Sequence, residues 1–113
     1  SIKYPMLTGI YAEALMRGDP AARQRIRDAV RLTDLMTQRS HTLSEIHFEA
    51  PDRLVVYPTK FPVAWRLGWG DWEEKLARLD RLLELWKGNE QRLASLDMSF
   101  RDQVVARLRG KKE

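Results

Sequence analysis

The chain of 113 residues contains no cysteine. That excludes structural disulfides and thiolate zinc sites, and it fits any compartment. Histidine occurs only at His41 and His47. Their spacing gives no i, i+4 pair on a helix, and no glutamate stands at metalloprotease spacing from them. No apolar run is long enough to span a bilayer, and no stretch has the layout of a signal peptide. The six glycines are scattered. Gly68-Trp69-Gly70 lacks both the third glycine and the Lys-Ser/Thr of a phosphate-cradling loop. What remains is 43% hydrophobic and 32% charged, the composition of a globular chain able to build one core without metal or cross-links. The net charge of +4 permits an anionic partner, nucleic acid or lipid headgroup.

Residues 1–9 read as an extended lead-in, because Pro5 biases Tyr4 away from helix and Gly9 permits a turn. A short helical pattern over 10–17 stops at Gly18. Asp19-Pro20 then starts a clear helix, with Asp19 as N-cap and Pro20 at the first helical position. Its inner face is Ala22, Ile26, Ala29, Thr33 and Met36, flanked by Val30 and Leu32, and it ends near Gln38. Three strand candidates follow at 44–49, 54–57 and 62–67, joined by short polar connections that suggest an antiparallel meander. The second long helix is predicted over 71–87. Asp71 and Glu74 have capping-box spacing, Gly88-Asn89 supplies a stop, and Trp72, Leu76, Leu79, Leu83 and Trp86 form the buried stripe. One helix between two strands predicts a parallel crossover from the third strand to the strand around 96–100. The last strand, 104–109, should return antiparallel as a hairpin. The fold class is therefore α+β: one mixed sheet of about five strands with two main helices, residues 1–113 forming a single domain.

Most chemical readings of these residues give way to simpler ones. His47 lies on the polar side of its strand, where solvation explains it better than ligation. Glu73-Glu74 follow a helix start, where the macrodipole favours carboxylates. Arg23, Arg27 and Arg31 form a basic stripe that could follow phosphates. It lies opposite the apolar face, however, and no aromatic interleaves it to stack bases. Among the tryptophans, Trp65, Trp72 and Trp86 fall on inward faces. Trp69, in the turn before the second helix, fits packing over the helix start better than a partner anchor. No nucleophile, metal set or acid/base pair emerges, so neither catalysis nor a cofactor is expected.

The C-terminal quarter is more informative. A strand laid down last has no later neighbour to cover it, so it should form a sheet edge with unpaired backbone groups. Val104-Val105-Ala106-x-Leu108 at such an edge suits pairing with another chain's strand.

Several short stretches resemble one family when taken in order. Tyr4-Pro5-Met6-Leu7-Thr8-Gly9 is similar to the L-P-x-L-x-G segment of the bacterial cell-division family FtsQ, called DivIB in Gram-positive bacteria. A helix follows, then three strands ending at Leu67-Gly68, then the Glu-Lys-Leu-Ala-Arg-Leu helix from Glu74 to Leu79. Leu96-Asp97-Met98-Ser99-Phe100 is similar to the family's V-D-L-R-Y, and Val104 to Leu108 stands where the family has its final strand. Ser99 replaces a usual arginine, Gln103 a common glycine, and Leu108 an occasional aromatic.

The resemblance implies the family's C-terminal β domain, without the POTRA domain and transmembrane helix that precede it in such proteins. It implies a non-enzymatic divisome component on the extracytoplasmic face of the inner membrane, at the septum. Such a component recruits FtsB and FtsL and helps control septal peptidoglycan synthesis. Its partner-binding positions would be Phe100 in place of the family's aromatic, Asp102 and Gln103 in the turn, Val104, Val105 and Ala106 as pairing backbone, and Leu108 as an apolar end. A protein-interaction domain of another envelope system, or a basic nucleic-acid-binding module, remains open on the residues alone. Self-association through the edge strand also remains open.

Overall fold

The computed structural model describes residues 4–110, so the first three residues of the expected lead-in fall outside it. Strand β1 (Met6–Gly9) runs into helix α1 (Ile10–Met16), followed by helix α2 (Pro20–Gln38). Strands β2 (Leu43–Ala50), β3 (Arg53–Pro58) and β4 (Trp65–Arg66) come next, then helix α3 (Trp72–Leu85). A 3-10 turn (Glu90–Arg92) leads into β5 (Leu93–Asp97), and β6 (Val105–Leu108) closes the sheet. The spatial order is the chain order, β1-β2-β3-β4-β5-β6. Strand β1 pairs parallel with β2, β4 pairs parallel with β5, and the remaining neighbours are antiparallel.

The α+β class, the parallel β4–β5 pair and the terminal hairpin agree with the sequence reading. The strand count does not: there are six, because the lead-in itself pairs with β2, Leu7 opposite Ile46 and Thr8 opposite His47. Its four residues are too few for alternation to register, and their partner lies beyond two helices. The third expected strand is shorter than 62–67. Only Trp65 and Arg66 pair on both sides, since Pro62 has no N–H to give a ladder. The strand expected around Leu96 starts earlier, at Leu93, and ends at Asp97. Phe100 therefore lies outside it.

Local chemistry explains the helix ends. Asp19 Oδ1 accepts from the Ala21 N–H (3.0 Å) with Pro20 next to it, the expected cap. The α2 C-terminus closes as a Schellman turn: the His41 N–H donates to the Met36 carbonyl and the Ser40 N–H to that of Thr37, with Ser40 left-handed. The expected Asp71 capping box is absent. Asp71 is itself left-handed (φ 52°), and its side chain caps nothing, because Gly68 and Gly70 just before it also have positive φ and turn its carboxylate away from the first helical turn.

All helices lie on one face of the sheet. Ala29, Leu32 and Met36 of α2 and Leu76 and Leu79 of α3 share one core with Ile46, Phe48, Leu54, Val56, Trp65, Leu67, Leu93, Leu96 and Met98. Val30, expected to flank that face, is exposed, and Ile26 is half-buried. The buried Thr33 hydroxyl is satisfied by the Ala29 carbonyl (3.0 Å). On the opposite face the register aligns Thr8, His47, Val55, Arg66, Asp97 and Val105 in one row across the sheet.

Gly9 joins β1 to α1 without a loop. Its φ is +96°, and a Cβ there would overlap the Phe48 carbonyl on β2. Backbone strain and steric overlap together predict that Gly9→Ala costs roughly 2–6 kcal/mol. Gly18→Ala, with an equally positive φ but open space around it, should cost only the strain. Thermal unfolding of the two variants measures the difference.

Candidate functional site

The free edge of β6 is the feature on which the sequence-predicted site residues converge. The Arg109 N–H donates to the Arg92 carbonyl (2.9 Å). Backbone groups alternate in direction along a strand, so the N–H groups of Arg107 and Val105 also point to β5, whereas those of Ala106 and Leu108 point outward. Side chains alternate too. Val104 and Ala106 are half-buried against the core, while Val105 and Arg107 stand on the helix-free face. Val104 precedes the strand proper and contributes packing there. Leu108 and Val105 are 45% and 42% exposed.

Phe100, Asp102 and Gln103 lie in the connection from β5 to β6, all exposed. Phe100 does not extend the Leu96–Met98 core stripe: it is 45% exposed, because β5 has ended and the chain has turned. Asp97 makes that turn by accepting from both the N–H (2.9 Å) and the hydroxyl (2.6 Å) of Ser99. Phe100 borders a groove of about 670 Å³ beside the β4–α3 turn, together with Arg53, Val55, Arg66 and Trp69. Phe100 thus adjoins both the groove and the free edge.

The connection rests on a junction that periodicity alone did not show. Lys75 is buried, and its Nζ donates to the Leu67 carbonyl (3.0 Å) and reaches the Trp69 carbonyl (3.5 Å). The Trp72 Nε1–H donates to the Gly68 carbonyl (3.0 Å). A Cβ on Gly68 would lie 3.3 Å from the Ser99 Cα, so the β4–α3 turn packs directly under the β5–β6 connection. A lysine between Glu74 and Leu76 reads as surface. Only the carbonyls freed by the left-handed turn explain its burial.

The remaining candidates are engaged inside the fold. Trp69 packs over the start of α3 as expected, stacked on Phe48 (centroids 6.2 Å apart), near Trp72 and under the Arg25 guanidinium (4.1 Å). Trp65 is fully buried, whereas Trp72 and Trp86 are half-buried at the core margin. His47 is half-buried rather than freely solvated, its Nδ1 2.8 Å from the Thr8 hydroxyl, which donates to Glu45. His41 Nε2 meets Asp80 (2.6 Å), which also pairs with Arg39. Arg23, Arg27 and Arg31 are exposed, with Arg31 paired to Asp28. Among the described residues, no group of three His, Cys, Asp or Glu side chains is placed to hold a metal ion. No helix among them is long and apolar enough to cross a membrane.

Burial holds the Lys75 ammonium below its ordinary pKa of 10.5, against the opposing pull of Asp71 and Asp97. The unfolded chain therefore keeps this proton to higher pH than the folded one. The cost of burying the charge is felt in full below the folded-state pKa and fades as pH rises towards 10.5. Chemical denaturation across that window should show the native chain gaining stability relative to Lys75→Met. A constant difference between the two would place the ammonium in solvent.

No family model matches this chain. It is 24% identical over 110 residues to the cell division protein FtsQ of Geotalea daltonii, and equally so to the cell division protein FtsQ of Geobacter sp. strain M21. Each alignment covers 94% of this chain and 40% of the relative. The chain thus spans about two-fifths of the length of the curated relatives it matches, and its similarity is to proteins named for cell division.

Proposed function

We propose that this chain is the partner-docking β domain of an FtsQ/DivIB-type cell-division protein. It acts without catalysis, receiving a strand of FtsB, in company with FtsL, by β-augmentation on β6. Its place would be the extracytoplasmic face of the inner membrane at the septum, where it helps control septal peptidoglycan synthesis. The observation that carries this reading is the free edge: β6 ends the sheet, and among the described residues the N–H groups of Ala106 and Leu108 have no strand to receive them. Edge strands of this kind acquire partners through main-chain bonds. The similarity to two FtsQ proteins across nearly the whole chain supports the assignment. The exposed Phe100, with Asp102 and Gln103 beside it, offers side-chain contacts where the docked strand would enter.

Proline substitution separates docking from folding. Ala106→Pro removes an outward donor and should weaken an FtsB segment about tenfold or more, with the domain still folded. Val105→Pro removes a donor that faces β5 and should instead cost stability, roughly 1–3 kcal/mol. Phe100→Ala should leave stability within about 0.5 kcal/mol while weakening binding. Circular dichroism reports folding and calorimetry reports affinity. A folded Ala106→Pro variant that binds the segment as tightly as the native chain would overturn docking at this edge.

A further inference from the structure

Among the described residues, the charge on β6 has no counterpart. Arg107 and Arg109 are both exposed, and among the described residues neither forms an ion pair; Arg109 only donates from Nε to the Leu93 carbonyl (3.3 Å). Elsewhere on the helix-free face Arg66 (3.3 Å) and Arg53 (3.7 Å) share one carboxylate, Glu49. The carboxylate on the strand next to β6 is Asp97, opposite Val105, and it is occupied by Ser99. Arg107 faces Ser95 across the ladder, which cannot neutralise it. The chain continues with Lys111, Lys112 and Glu113, whose side chains add one net positive charge in sequence.

A strand added to β6 will place every second side chain beside Arg107 and Arg109, about 4.5–5.5 Å away at Cβ. Its alternate side chains will face Val104, Ala106 and Leu108. A second copy of this chain fits poorly. Two-fold antiparallel pairing that matches the outward donors of Ala106 and Leu108 sets Arg107 opposite or diagonal to the other copy's Arg107, with like charges brought together.

We propose that this edge is selective for an acidic strand, one with carboxylates on the helix-free face opposite Arg107 and Arg109 and small or apolar side chains on the other. This rests on the docking role proposed above and adds the chemistry of the partner. Opposite-charge cross-strand pairs then contribute selectivity, and backbone bonds contribute most of the affinity.

The test uses a short peptide of alternating valine and threonine in which two successive threonines are replaced by glutamate, with glutamine and lysine counterparts. Binding is read from the amide resonances of Ala106 and Leu108. The glutamate peptide should bind about threefold to tenfold more tightly than the glutamine one, and the lysine peptide more weakly than both. Arg107→Glu should invert the order, and raising salt from about 0.05 M to about 1 M should compress it. Equal binding by all three peptides would overturn acidic selectivity and leave docking intact. No shift of either amide with any peptide would overturn the docking reading and selectivity with it. Shifts that follow the chain's own concentration, regardless of peptide charge, would make a second copy the occupant and overturn the proposal.

Discussion

Sheet continuity depends on two residues. Trp65 pairs with Val56 on one side and Leu96 on the other, and Arg66 with Val55 and Asp97. Just beyond them the Leu67 N–H donates to the Leu54 carbonyl (2.8 Å), and the Met98 N–H to that of Arg66 (2.6 Å). Without that segment, β5 and β6 would be a separate hairpin, marginal by itself in water. So short a strand persists because Trp65 is fully buried. Its ring packs edge-on against His41 (5.1 Å) and Phe61 (5.4 Å), joining the α2–β2 connection to the β3–β4 connection beside it. The Lys75 ammonium then fixes the carbonyls that follow. Apolar burial holds β4 in register, and one charged donor sets the turn that sends the chain into α3.

The parts legible in sequence are those governed by local chemistry or long periodicity. Asp19-Pro20 announced α2, and the apolar spacing of Leu76 and Leu79 announced the buried side of α3. The position of a lone helix between two strands implied the parallel β4–β5 pair. What escaped depended on distant partners. Met6–Gly9 becomes a strand only because β2 lies beside it. Asp71 has the residue type and spacing of a cap, but the backbone dictated by Gly68 and Gly70 removes it from that role. Phe100 continues the Leu96, Met98 alternation in sequence, yet the Asp97–Ser99 turn breaks the strand and leaves the ring exposed. Of the candidate site, the edge and the alternation of Val104, Val105 and Ala106 were readable. Which amides point outward was not, since that depends on the β5 register.

The two faces of the sheet differ in how they treat charge. The helix side buries one ammonium, Lys75, and surrounds it with backbone carbonyls. The helix-free side keeps its charges partly in water and links neighbouring strands through side chains: Thr8, Glu45 and His47 join β1 to β2, and Glu49 reaches Arg66 across the sheet. Exposed pairs of this kind contribute little to stability individually. They do place polar groups between strands, which disfavours apolar association across that face. Three exposed apolar side chains, Phe100, Val105 and Leu108, lie at or beside β6.

The order of the strands also has a mechanical meaning. β1 and β6 are opposite edges of six strands, about 24 Å apart at ordinary strand spacing. A tension applied between them passes in series through every ladder of the sheet, so the assembly is only as strong as its weakest rung. That rung is β4, with two residue pairs on each side. Load would open the sheet there by unzipping, ahead of the longer β2–β3 ladder, and the buried indole of Trp65 is the fuse.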